Sequence, residues 1–154
     1  MKKRGFTLIE IIAVIGVLSV IFSIGIASIR QFKTRYKQIE ISNFLYETID
    51  MISYGKSYCA SNDLSGNVKL INNNDYLQVY LIADNKVIKN IKIKEVLRIK
   101  PFDNEEEIRN INLRINEFGY VEPTTIKFIN EKLEEFIITV QVGGNVILVK
   151  EGGS

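Results

Sequence analysis

The sequence predicts an α+β protein: one long N-terminal helix, a membrane anchor in its first half, packed by its second half against an antiparallel β-sheet domain. Three observations predict this. From Ile11 to Ile29 no residue is charged; at ~1.5 Å per residue a helix of that length spans about 28 Å, close to the ~30 Å of a bilayer's hydrocarbon core. No Gly or Pro occurs between Ile26 and Tyr54, so nothing stops that helix where the apolar run ends. After Gly66 the pattern turns to alternation rich in β-branched residues, the period of strands.

The chain opens with a basic head (Lys2, Lys3, Arg4) that meets Gly5. Phe6 begins the apolar run, and residues 6–29 are assigned to the membrane helix. Glu10 is its one ionisable residue. A charge at the centre of a membrane helix costs about 2.5–3.5 kcal/mol, and less near the edge. Glu10 therefore either snorkels to the headgroups or meets a positive partner. Ser19, Ser23 and Ala27 recur at every fourth residue, a stripe of small side chains that permits close helix approach. Residues 30–58 continue the helix with an amphipathic face: Ile41, Phe44, Leu45, Ile49 and Ile52 fall on one side. The helix is expected to run from about Phe6 to about Tyr58, with Gly55 and then Ser61-Asn62-Asp63 marking its end.

Residues 59–154 form the β-rich head. Expected strands are 68–71, 76–83, 86–94, 96–100, 108–115, 124–128, 136–142 and 146–150. The turn signals between them are Asn72-Asn73-Asn74-Asp75, Asp84-Asn85, Asn116-Glu117-Phe118-Gly119, Asn130-Glu131 and Gly143-Gly144. Pro101 and Pro123 sit at strand edges, where a missing N–H is tolerated. A long helix followed only by strands makes a sheet wrapped on a helix.

Composition narrows the chemistry. The chain has 154 residues and a formal net charge of +2. The thirteen basic and seventeen acidic residues between Gln38 and Ser154 leave that part at −4, which argues against a general nucleic-acid glue. There is no histidine, so the commonest general base and most zinc sites are missing. Cys59 is the one cysteine, which rules out an intrachain disulfide and suits a small buried or half-buried residue at the helix end, with pairing to another chain as the other reading. Nothing points to a catalytic group, a cofactor or a metal. Asp103 with Glu105-Glu106-Glu107 is read as a charged loop, and Asn72–Asp75 as a plain turn rather than a calcium loop.

The segment Gly5-Phe6-Thr7-Leu8-Ile9-Glu10, with its apolar tail, resembles the precursors of type IV pilins and pseudopilins. The resemblance implies a pilin-like fold and a non-enzymatic filament subunit. It implies a leader peptide of residues 1–5, cleavage between Gly5 and Phe6 by a membrane prepilin peptidase, and N-methylation of Phe6. The partner of Glu10 would then be the Phe6 amine of a neighbouring subunit. Other partners would be pilin or pseudopilin subunits and an inner-membrane assembly platform. A secretory signal peptide would instead be cut after the apolar run, where Ile26-Ala27-Ser28 is a poor site. The basic head marks a cytoplasmic flank, but Arg30, Lys33, Arg35 and Lys37 on the far side make charge alone ambiguous. The resemblance puts the C-terminal domain outside a single-pass cytoplasmic-membrane anchor, and later in an extracytoplasmic filament. The last third, from Phe118-Gly119 through Gly143-Gly144-Asn145-Val146-Ile147-Leu148, is similar to the H-type minor pseudopilins of type II secretion and their pilus and competence relatives.

One further pattern bears on binding. Lys86, Lys92, Lys94, Arg98 and Lys100 share parity, so a hairpin of these strands would carry a basic face. The two readings are a patch for DNA or an acidic partner, with the protein as a filament-displayed receptor, and an ordinary solvated strand face. No exposed aromatic ladder is expected beside it.

Overall fold

A computed structural model describes residues 7–73, 75–94, 97–100, 110–141 and 147–151; the side chains of 24–31 and 147–151 are outside that description. The fold is α+β: among the described residues one helix, α1 (Leu8–Asn62), is followed by eight strands. The strands are β1 (Gly66–Asn72), β2 (Tyr76–Ala83), β3 (Lys86–Lys94), β4 (Leu97–Lys100), β5 (Asn110–Ile115), β6 (Thr124–Asn130), β7 (Glu135–Val140) and β8 (Ile147–Glu151). The chain divides into two compact units, Met1–Ile39 and Glu40–Ser154, so the last part of α1 belongs with the strands.

The helix continues past Gly55 and past Tyr58. Gly55 is no terminator. It is buried, and a Cβ there would lie 2.7 Å from Leu81 Cδ1 and 2.9 Å from Ile115 Cδ1. It lets β2 and β5 approach the helix closely. The end of α1 is set by Asp63, whose φ of 52° is left-handed, while Leu64 N–H donates to Cys59 O at 3.0 Å. That is a Schellman closure with Asp where Gly is usual.

The buried stripe of α1 is Ile41, Phe44, Leu45, Thr48, Met51, Ile52 and Cys59. Ile49, expected on that face, is only partly buried, and Thr48 takes the central place. A threonine is tolerated there because its hydroxyl donates to Phe44 O at 2.8 Å, leaving no orphaned polar group. Cys59 is fully buried, as its position suggested, and desolvation pushes its thiol pKa up.

The expected single sheet is two four-stranded antiparallel sheets, ordered β3-β2-β1-β5 and β4-β6-β7-β8. Inward positions alternate along the strands: Leu77, Val79, Leu81 and Ala83 of β2, Ile126 and Phe128 of β6, Ile138 and Val140 of β7 are all buried. Full burial of such side chains contributes about 1.5–3 kcal/mol each before entropy is counted. The expected strand positions at Val96, Ile108 and Arg109, Val142 and Val146 lie outside the described residues. So do the Gly143-Gly144 turn and the Asp103–Glu107 loop.

Candidate functional site

The described helix begins at Thr7 and Leu8. The Thr7 backbone N–H donates to Glu10 Oε2 at 2.8 Å, the Thr7 hydroxyl lies 2.9 Å from the same oxygen, and the Glu10 N–H reaches Thr7 Oγ1 at 3.4 Å. This is a capping box. Threonine stands at the N-cap and glutamate three residues on, each satisfying a backbone donor of the other. Sequence reasoning treated Glu10 only as a charge in search of a partner and missed Thr7. The Thr-x-x-Glu spacing before an apolar run is the signal that would have found it. Gly5 and Phe6, the expected cleavage and methylation residues, lie outside the described residues.

Beyond the cap, the helix surface is apolar. Leu8, Ile9, Ile12, Val14, Ile15, Val17, Val20, Ile21 and Phe22 are all more than half exposed in the isolated chain. The polar side chains among them are self-contained: Ser19 Oγ donates to Ile15 O at 2.8 Å, and Ser23 Oγ to Ser19 O at 2.7 Å. Hydroxyls tied to their own helix bring no unpaired donor into an apolar surround. Among the described residues no helix is long and apolar enough to cross a membrane. The described side chains of this stretch stop at Ser23 and resume at Phe32.

The expected basic face does not form as expected. Lys92 and Lys94 lie on β3, paired with β2, whereas Arg98 and Lys100 lie on β4, paired with β6 in the other sheet. There is no β3–β4 hairpin to align them. Lys100 forms an ion pair with Glu135 of β7. Hydrogen bonding and charge from Lys100 hold the Glu135 carboxyl below the usual carboxylate range. Lys92 places its Nζ 3.4 Å from the Tyr76 ring centroid, a cation–π contact on the outward side of the first sheet. Sequence parity failed at one more point. The register between β2 and β3 shifts at Leu81/Ile82, so Lys89 and Lys86 stand opposite the inward residues Leu81 and Ala83 while remaining exposed. Lysines on the inward side of a bulged edge strand protect it from pairing with another chain.

Among the described residues no three His, Cys, Asp or Glu side chains come together. Between β1 and β2, Asn73 N–H donates to Tyr76 O at 2.9 Å; Asn74, in the middle of the expected turn, lies outside the described residues.

Comparison with known proteins agrees with the N-terminal reading. Residues 1–26 match the family described as the prokaryotic N-terminal methylation motif. No curated protein matches the chain. Among solved structures the chain is similar to the minor pseudopilin EpsH from the Type 2 Secretion System of Vibrio cholerae, at 15% identity, over 76% of this chain and 98% of that one, with a TM-score of 0.49. Over its first 26 residues, therefore, the chain is similar to the proteins that carry the prokaryotic N-terminal methylation motif.

Proposed function

We propose that this chain is a minor pilin or pseudopilin, a non-enzymatic subunit of a type IV pilus, a type II secretion pseudopilus or a competence pilus. It is held in the cytoplasmic membrane by its first helical segment with the head outside. It is then cut after Gly5 by a prepilin peptidase, methylated on Phe6 and assembled with other subunits by an inner-membrane platform. The observation that carries this reading is the methylation motif over residues 1–26, continuous with a helix whose surface from Ile11 to Phe22 is apolar apart from Ser19. Glu10 is the assembly residue: its carboxylate would neutralise the Phe6 amine of a neighbouring subunit, since neither charge has water to turn to inside an apolar bundle.

The test is the mass and N-terminal sequence of the full chain made together with a prepilin peptidase. The expected product starts at N-methyl-Phe6. The Gly5→Val variant is expected to keep Met1–Gly5 and stay in the membrane. A mature chain that still begins with its lysines in the presence of active peptidase overturns the proposal.

A further inference from the structure

We propose that the outward face of the β3-β2-β1-β5 sheet binds single-stranded nucleic acid. The cross-strand register assigns that face. Tyr76 and Tyr80 of β2 stand opposite Lys94 and Asn90 of β3, and Tyr80 also stands opposite Lys69 of β1, whose neighbour Asn67 faces Arg114 of β5. Four cations lie on this face, Lys69, Lys92, Lys94 and Arg114, and all four are exposed. The remaining outward positions of the four strands are asparagine, glutamine and aliphatic residues, and none is Asp or Glu. The opposite side of the sheet is buried core, so the polar side alone is open to a ligand.

The net charge of −4 from Gln38 onward conceals this segregation. Of the described carboxylates in that part, Glu40, Glu47 and Asp50 lie on α1, Asp63, Asp75, Asp84 and Glu117 lie in turns, and Glu131, Glu134, Glu135 and Glu151 lie in the second sheet or its turn. Glu122, just past β5, is the one that lines a pocket with Asn67 and Arg114, and Glu95, Asp103, Glu105, Glu106 and Glu107 lie outside the described residues. A ligand responds to the local field, not the sum. Among the described residues, no carboxylate lies within ion-pair reach of Lys69, Lys94 or Arg114. The Lys92 ammonium is held over Tyr76 rather than paired with an acid.

The chemistry favours nucleic acid over an acidic polypeptide. Cations alone would suit either. Tyr80, half-buried on a central strand, offers a ring face for a stacked base, while the Tyr76 ring about 13 Å along that strand already carries the Lys92 ammonium. The amides around them carry the donor and acceptor pairs that read base edges. Stacking on a sheet face needs bases that are already unpaired, which selects a single strand over a duplex. The inference is independent of filament assembly and survives if the anchor is never cleaved.

The test is fluorescence anisotropy of a labelled oligo-dT of about twenty nucleotides with the full chain in mild detergent, across about 50–200 mM salt. The wild type is expected to bind, with affinity falling as salt rises by a log–log slope of roughly 0.7 per phosphate contact. K92E/K94E, and independently K69E/R114E, are expected to lose at least about tenfold and to flatten that slope. Tyr80→Ala is expected to lose roughly 5- to 100-fold with the slope unchanged, and Tyr80→Phe to restore binding. Arg98→Glu, in the other sheet, is expected to change nothing beyond twofold. The proposal is overturned by an unbound oligo-dT, by Arg98→Glu matching the sheet variants, or by duplex DNA binding as well as oligo-dT. Poly-glutamate displacing oligo-dT with Tyr80→Ala silent would identify an acidic polypeptide as the ligand and also overturn it.

Discussion

Gly119 and Leu133 occupy the same place in two copies of one turn. Asn116 Oδ1 accepts the N–H groups of Phe118 and Tyr120 at 3.0 and 2.8 Å, and Asn130 Oδ1 accepts those of Lys132 and Glu134 at 2.9 Å each. In both, the residue three after the asparagine donates back to the asparagine carbonyl, at 2.9 and 3.0 Å. In both, that residue is left-handed, with φ of 72° at Gly119 and 64° at Leu133. Glycine adopts this backbone freely, whereas leucine there costs about 1–2 kcal/mol. Leu133 is 76% exposed and recovers little of that by burial. Leu133→Gly is therefore expected to raise stability by about 0.5–1 kcal/mol, the strain relieved less the added freedom of the unfolded chain. Gly119→Ala is expected to do the reverse, by about 2 kcal/mol or more, because its Cβ would lie 2.6 Å from Lys56 O as well as being left-handed. Chemical denaturation of the two variants checks both signs, and a Leu133→Gly chain no more stable than the parent would remove the strain argument.

At the scale of elements, the periodic signals were legible and the exceptions were not. The 3.6 period located the buried stripe of α1, but it could not say that Thr48 rather than Ile49 faces inward. That choice rests on a hydroxyl satisfied by its own helix. Glycine read as punctuation misled at Gly55, where the missing Cβ serves close packing. Strand positions followed the alternation closely, yet the partition into two sheets did not follow from it, because period 2 reports which face is inward and not which strand is the neighbour. The division matters for charge, since it sends Lys100 to meet Glu135 across β4, β6 and β7 instead of joining Lys92. The sign of its pH effect is determined. The folded pKa of Glu135 is depressed, so its contribution is full above the unfolded carboxylate pKa and is lost as pH falls through the folded value. Glu135→Gln is expected to be less stable than the parent at pH 7 and equal to it once the parent's carboxyl is protonated, with added salt narrowing the gap at neutral pH. Parallel thermal melts from pH 7 down to about 3 give the comparison, and a gap that stays constant across that range would assign the effect to packing.

For the whole molecule, the question is what a carboxylate gains by standing at the head of an apolar helix. The sequence displayed the anomaly, one acid before a run of uncharged residues, but the capping box shows that Glu10 already has work within its own chain. Two roles therefore overlap on one side chain. As the glutamate of the capping box it satisfies the Thr7 N–H, a bond the helix start loses with an alanine there. As a charge it would neutralise the amine released at Phe6, under the assembly proposed above. Glutamine separates the two, since its side-chain carbonyl can still accept from Thr7 while its charge is gone. Both Glu10→Ala and Glu10→Gln are expected to be cut after Gly5, because the peptidase site precedes them. If the charge governs assembly, both variants accumulate in the membrane and enter filaments at least about tenfold less than the parent, in a cysteine or photo-crosslinking assay of sheared filaments, consistent with the cost of an unneutralised partner in an apolar surround. If the cap governs it, Glu10→Gln assembles like the parent and only Glu10→Ala fails. Normal incorporation of Glu10→Gln would thus leave the helix start intact as a structural feature and withdraw the intersubunit ion pair.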